Sequence, residues 1–150
     1  MRFVIQRVTH GSVTVEGNVV GSIGQGLVVL VGVGQGDTES IALRMVEKML
    51  GLRIFSDQAG KMNLSVVDIA GELLMISQFT LYADCRKGRR PSFIAAGEPA
   101  IAQSLFRFCI ERVSASGLKT ASGIFAADMQ VSLNNDGPVT IVLDSDELGL

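Results

Sequence analysis

The sequence predicts an α/β fold, a layered or barrel-like, mostly antiparallel sheet with two main helices packed on one side. Three observations predict it. Runs rich in β-branched residues recur along the chain between glycine- and asparagine-containing turns. Only two segments, one ending at Gly51 and one beginning near Pro99, space their apolar residues at helical intervals. Leu27-Val28-Val29-Leu30-Val31 is apolar at every position, the pattern of a central strand covered on both faces.

Arg2 to Val8 and Ser12 to Val15 read as the first strands, with a turn at Thr9-His10-Gly11 between them. Glu16-Gly17-Asn18 then turns the chain into Val19-Val20-Gly21-Ser22-Ile23, a hairpin or meander. Asp37 is the expected N-cap of a helix running to about Leu50, because Ile41, Met45, Val46, Met49 and Leu50 share one face and Gly51 can close it. A short strand is expected over Leu52 to Phe55, a polar turn over Ser56 to Gly60, and a longer strand from Glu72 through Phe79. Pro99 opens the second helix, with Leu105, Cys109 and Val113 on one face and Phe106 and Ile110 beside them. Asp128 to Leu133, a turn at Asn134 to Gly137, and Val139 to Leu143 read as a closing hairpin.

A chain of 150 residues fits one domain, residues 1–150, and can bury roughly 70% of its unfolded surface without staples. The N-terminus lacks the continuous apolar stretch of a signal peptide. The longest apolar run, Leu27 to Val33, is far below the ~20 residues needed to span a bilayer, so the expectation is a cytoplasmic protein with no membrane partner. Cys85 and Cys109 have no metal-type spacing and are expected as free thiols.

Most catalytic patterns are absent. The single histidine, His10, has no evident orienting partner for a triad, and no Gly-x-Ser-x-Gly elbow occurs. Gly32 to Asp37 lies where a phosphate loop would lie but lacks both nucleotide-loop patterns, so a tight turn and helix cap is expected there. Carboxylates are scattered singly, and neither a metal nor a cofactor is expected. The formal charge of −2 conceals a local cluster, Arg86-Lys87-Gly88-Arg89-Arg90, in which a loop presents four cations together. A solvated loop and a phosphate-contacting, RNA-binding surface are the two readings of that cluster.

What remains is main-chain chemistry. Ser77-Gln78-Phe79-Thr80-Leu81-Tyr82 and Asn135-Asp136-Gly137-Pro138-Val139-Thr140 each put small hydroxyl or amide side chains and a bent backbone at the end of an apolar strand. Together they resemble the paired signature of the D-aminoacyl-tRNA deacylases, and the resemblance extends over nearly the whole chain. It includes Val4 to Val8, Leu52 to Phe55, Lys61 to Ser65, Arg86 to Phe93 and Ala127 to Leu133.

The resemblance implies hydrolysis of the ester of D-aminoacyl-tRNA, with glycyl-tRNA also accepted, by a homodimer whose active sites lie at the subunit interface. It implies a cis Gly137-Pro138 peptide, a minority state of about 5–6% of such bonds. Its two carbonyls would reach into the other subunit's site and grip the substrate's α-amino group. An L side chain would then collide with a rigid backbone wall where a D side chain escapes.

Ser77, Gln78, Phe79 and Thr80 would form the catalytic edge. Main-chain N–H groups of Phe79 or Thr80 would stabilise the oxyanion and Gln78 would place the substrate. The resemblance points to water attack assisted by the 2′-hydroxyl of the terminal adenosine. Thr80 is the candidate side-chain nucleophile, but no base lies near it in sequence, so covalent catalysis is not expected. Phe125 and Met129 would line the adenosine pocket, with core packing the alternative for both. Arg7 would brace the Gly137-Pro138 loop, a surface salt bridge being the simpler reading. Two function classes compete with the deacylase, a non-catalytic RNA-binding module and a general esterase with Thr80 as nucleophile.

Overall fold

A computed structural model describes residues 1–150. The strands are β1 (Arg2–Val15), β2 (Asn18–Ile23), β3 (Gly26–Gly32), β4 (Phe55–Ser56), β5 (Met62–Leu64), β6 (Glu72–Ser77), β7 (Thr120–Ser122) and β8 (Gln130–Asp144). Helix α1 (Glu39–Leu50) follows β3, a 3-10 turn (Phe79–Tyr82) follows β6, and α2 (Pro99–Ser114) precedes β7.

The main sheet runs β2-β1-β3-β6-β7, with β8 also paired to β1. β1 is antiparallel to β2, β3 and β8, whereas β3–β6 and β6–β7 are parallel. The sheet is therefore mixed, with antiparallel pairs in the majority, and it rolls nearly into a barrel. Gly21 of β2 faces β7 across the closing seam. A Cβ there would stand 3.0 Å from the Ser122 carbonyl oxygen, so a bare backbone allows the two edges to approach.

Side chains alternate across the sheet as a two-residue period requires. Phe3, Ile5, Leu27, Val29, Val31, Leu73 and Met75 face the helices, and Val8, Val13, Val28, Leu74 and Ile76 fill the inside of the roll. Both faces of β3 are thus buried, as its unbroken apolar run predicts. Ala42, Met45, Val46 and Met49 of α1 and Ala102, Leu105, Phe106, Cys109 and Val113 of α2 join the first cluster, so both helices cover one side. Each fully buried aliphatic side chain contributes about 1.5–3 kcal/mol through the water it no longer meets. No helix is long and apolar enough to cross a membrane.

Five local expectations are corrected. β1 is one continuous strand through Thr9-His10-Gly11, with register shifts against β8 in place of a turn. Thr9 and His10 face solvent there, and Gly11 passes so close to Val28 that a Cβ would lie 2.7 Å from its Cγ2. The C-terminal segment is likewise one strand, because both halves of β8 pair with the same partner, β1, and residues 136–139 are looped out of the ladder.

The cap of α1 is Thr38, whose hydroxyl accepts from Ile41 N. Asp37 is committed elsewhere, to the buried amino group of Met1 at 2.6 Å and the N–H of Gly34 at 2.7 Å. The strand expected over Leu52–Phe55 shrinks to Phe55–Ser56, since the Ile54 carbonyl accepts from Arg7. β6 stops at Ser77: Gln78 still donates to the Val31 carbonyl, but the chain then coils into the 3-10 turn.

Candidate functional site

Beyond β6, Gln78 N bonds to Val31 O at 2.8 Å and Leu81 N to Gln78 O at 3.2 Å. The N–H groups of Phe79 and Thr80, the first two of the turn, donate to nothing within the chain, as the opening donors of a helical turn do. The Gln78 amide donates to Thr80 Oγ1, which ties the two polar side chains together. That is the hydroxyl's only bond, so no base adjoins Thr80. Phe79 is 57% exposed and meets Phe93 edge-on, with ring centroids 5.0 Å apart. Phe79 therefore stands outside both core clusters.

Ser77, Gln78 and Phe79 form one rim of a mostly apolar cavity of about 660 Å³. Its floor is Val31 and Ile76, and its walls are Phe93, Ala96 and Gly97, Pro99, Ala102 and Phe106 at the start of α2, and Phe125 to Met129. Phe125 and Met129 are both half-buried and both line the space, so packing and pocket are served by the same side chains. Phe125 leans on Phe106 at 6.3 Å. Gly123 leaves room for Met129, whose sulfur a Cβ at that position would overlap. Ala96, Gly97 and Gly123 lie in no motif, while Phe93 ends the Arg86–Phe93 segment and Phe106 sits on the helical stripe without either marking a cavity wall.

The second signature segment stands apart. Gly137 and Pro138 are exposed, joined by a cis peptide, at the tip of the excursion between Asn135, which pairs with Val8, and Thr140, which pairs with Gln6. Asn135 closes the base of this loop: its Oδ1 accepts from Val139 N at 2.7 Å while its Nδ2 donates to Val139 O and Thr140 Oγ1. Arg7 holds the other side. Its Nε donates to Asp136 O at 2.9 Å and its Nη1 to Ile54 O at 2.5 Å. Arg7 is 8% exposed, so the simpler reading as a surface salt bridge is corrected, although its Nε also lies 3.4 Å from Asp136 Oδ2. Gly137, Pro138 and Arg7 do not line the cavity, and within one chain the two signatures do not meet.

Asp84 and Ser92 exchange two backbone bonds that close a loop holding the basic cluster. Arg86 is forked onto Asp84 through Nε at 2.9 Å and Nη2 at 2.7 Å, and this hydrogen bonding holds the Asp84 carboxyl down to about 2. Lys87, Arg89 and Arg90 are exposed and form no ion pair. One residue past the loop's closure the chain enters the cavity wall at Phe93. Cys109 is buried and its thiol is pushed up to about 12 by that burial, while Cys85 is exposed. No three carboxylate, imidazole or thiol groups converge to hold a metal.

Comparison with known proteins adds a family. The profile of the D-Tyr-tRNA(Tyr) deacylase family matches residues 4–144. The chain is 58% identical over 147 residues to a D-aminoacyl-tRNA deacylase of Desulfitobacterium hafniense strain DSM 10664 / DCB-2, covering 98% of this chain and 99% of that one. It is 58% identical over 145 residues to the enzyme of the same name from Myxococcus xanthus strain DK1622, covering 97% and 95%. Among solved structures, a c-Myc DNA unwinding element binding protein superimposes with a TM-score of 0.90 at 41% identity over 96% of this chain and 98% of its own. A probable eukaryotic D-amino acid tRNA deacylase shares the fold, with a TM-score of 0.82 at 17% identity over 95% and 97%.

The Arg7 geometry separates two contributions to stability. Arg7→Met keeps the bulk but leaves the buried Ile54 carbonyl and the part-buried Asp136 carbonyl without their donor, at about 1–3 kcal/mol for the first and about 1 kcal/mol for the second, so a urea midpoint shift equivalent to about 2–4 kcal/mol is expected. Asp136→Asn, which removes only a long and partly exposed ion pair, should stay within about 0.5 kcal/mol of the parent. Equal losses in the two variants would contradict the assignment of the carbonyls as the principal partners.

Proposed function

The chain belongs to the D-Tyr-tRNA(Tyr) deacylase family, an enzyme family of ester hydrolases acting on D-aminoacyl-tRNA, and we propose that main-chain atoms of two subunits carry out that reaction here. The observation that carries the reading is the pair of unengaged N–H groups, Phe79 and Thr80, beside the rim of an apolar cavity whose own chain keeps Gly137-Pro138 elsewhere.

Ester hydrolysis builds negative charge on the carbonyl oxygen. N–H donors aimed at that oxygen are worth roughly 3–4 kcal/mol each in comparable sites. Phe79 and Thr80 supply the donors, Ser77 and Gln78 shape the rim, and Thr80 has no base to make it a nucleophile. Water attacks, assisted by the 2′-hydroxyl of the terminal adenosine, whose base and ribose occupy the cavity against Phe125 and Met129.

The α-ammonium is taken by the Gly137 and Pro138 carbonyls of a second copy, which makes the active enzyme a homodimer with its sites at the subunit interface. Arg7 and Asn135 hold that loop from either side. With ammonium and ester both fixed, hydrogen and side chain must exchange places between the two enantiomers, and only the D form keeps its side chain off the backbone wall. Glycine, with no side chain, passes the same gate. Lys87, Arg89 and Arg90 contact tRNA phosphates, while Arg86 is retained by Asp84. The whole of residues 1–150 works as one deacylase domain in the cytoplasm, without cofactor or metal.

Incubating D-tyrosyl-tRNA and L-tyrosyl-tRNA side by side tests the chirality. Rapid loss of the D ester alone is expected; equal rates would refute the gate, and decay no faster than in buffer would leave an RNA-binding module as the function. Thr80→Ala should keep most of the activity, whereas its abolition in a normally folded protein would favour covalent catalysis. Mixing two inactive variants, Gln78→Ala and Gly137→Val, should restore about a quarter of the sites if each site draws on both subunits. A mixture as inactive as its components would remove the cross-subunit arrangement.

A further inference from the structure

We propose that Arg2 and Tyr82 are positioning residues that aim the Phe79 and Thr80 N–H groups from behind, through the far end of the 3-10 turn. The proposal rests on the reading above and adds to it residues that never touch the substrate. The turn needs such a support. It has no side-chain cap, none of its four residues is fully buried, and its first two donors are unbonded.

Its other end is held from three directions. Arg2 Nη1 donates to the Leu81 carbonyl at 3.0 Å. The same guanidinium lies over the Tyr82 ring, 4.7 Å from its centroid. The ring in turn rests on the bare backbone of Gly34, where a Cβ would stand 2.6 Å from both Cζ and Oη. Arg2 is itself fixed, because its Nε bonds to Asp144 Oδ2 at 2.5 Å near the end of β8. Burial alone would raise the Asp144 carboxyl, yet the bonds from Arg2 and the Asp146 N–H bring it below its ordinary value.

Arg2, Gly34 and Tyr82 are all absent from the cavity lining. Their influence on the reaction must therefore pass through the backbone of the turn. The phenol hydroxyl makes no hydrogen bond within the chain, so the ring and not the hydroxyl is the supporting part. Donors misplaced by about 1 Å lose on the order of 100-fold in rate.

The test compares Tyr82→Leu, Tyr82→Phe and Arg2→Met by steady-state kinetics on D-tyrosyl-tRNA and by amide relaxation at Phe79 and Thr80. In Tyr82→Leu and Arg2→Met, kcat should fall about 10-fold or more with KM changed less than about 2-fold, and the order parameters of the two amides should drop from about 0.85 toward 0.6. Tyr82→Phe should match the parent in both readouts. Unchanged kcat and amide order in Tyr82→Leu would overturn the proposal, and so would a Tyr82→Phe variant as impaired as Tyr82→Leu. If Tyr82→Leu fails to fold, Gly34→Ala, which pushes the ring off its seat, must give the same kcat loss and amide loosening or the proposal falls. A parent protein that leaves D-tyrosyl-tRNA intact would refute the deacylase reading and still leave the amide measurement to judge the positioning role.

Discussion

Strand β1 pairs with three strands, and most of the structure depends on how it manages that. Its first half is shared between β3 and β8, and its second half between β2 and β8. Along one edge β3 and then β2 follow in a single unbroken register as far as Val13, whereas along the other edge β8 changes register on either side of Val8, and the β2 pairing shifts once more at Val13 and Thr14. Those irregularities roll the sheet, bring β2 against β7, and expel residues 136–139 from the β8 ladder. The exposed Gly137-Pro138 tip is therefore a product of the same bend that makes the barrel.

The two arginines of β1 tie that bend to the rest of the molecule. Arg7 turns inward where the register slips and satisfies two carbonyls that the ladder cannot, one in the excursion of β8 and one just before β4. Arg2, at the start of the strand, spans from Asp144 at the end of β8 to the Leu81 carbonyl beyond β6. Both arginines of β1 are thus occupied with holding backbone in place. Asp37 on the Met1 amine and Glu72 on Lys119 and the Gly24 N–H follow the same pattern. A reaction that depends on fixed main-chain donors and acceptors suits such a molecule, since rigidity is what makes a backbone dipole effective against developing charge.

Much of this was legible from local pattern. The two helical stripes, the doubly covered β3 and the Gln78–Thr80 and Gly137–Pro138 segments are marked by residue type within short windows. Asp37 misled because an acidic residue before a helix is a good cap in isolation, and only the folded chain shows the Met1 amine competing for it. His10-Gly11 and Asn134 to Gly137 misled in the same way. Both carry turn chemistry, yet neither reverses the chain: β1 runs on through His10-Gly11, and β8 resumes its pairing with β1 on both sides of the excursion at residues 136–139. Ala96 and Gly97 had no periodicity or motif to betray them, because a cavity wall is assembled from segments far apart in sequence.

By itself the sequence determined the two helices, the apolar faces of the main strands and the two polar signature segments, all of which depend on neighbours within a few residues. The tertiary structure alone decided which ends meet. It set Ser77 to Phe79 against Phe93, Phe125 and Met129 around one cavity, and kept Gly137-Pro138 of the same chain outside it. That outcome follows from the closure of a bent sheet around a shared strand, a long-range balance of register, packing and hydrogen bonding that no local window contains.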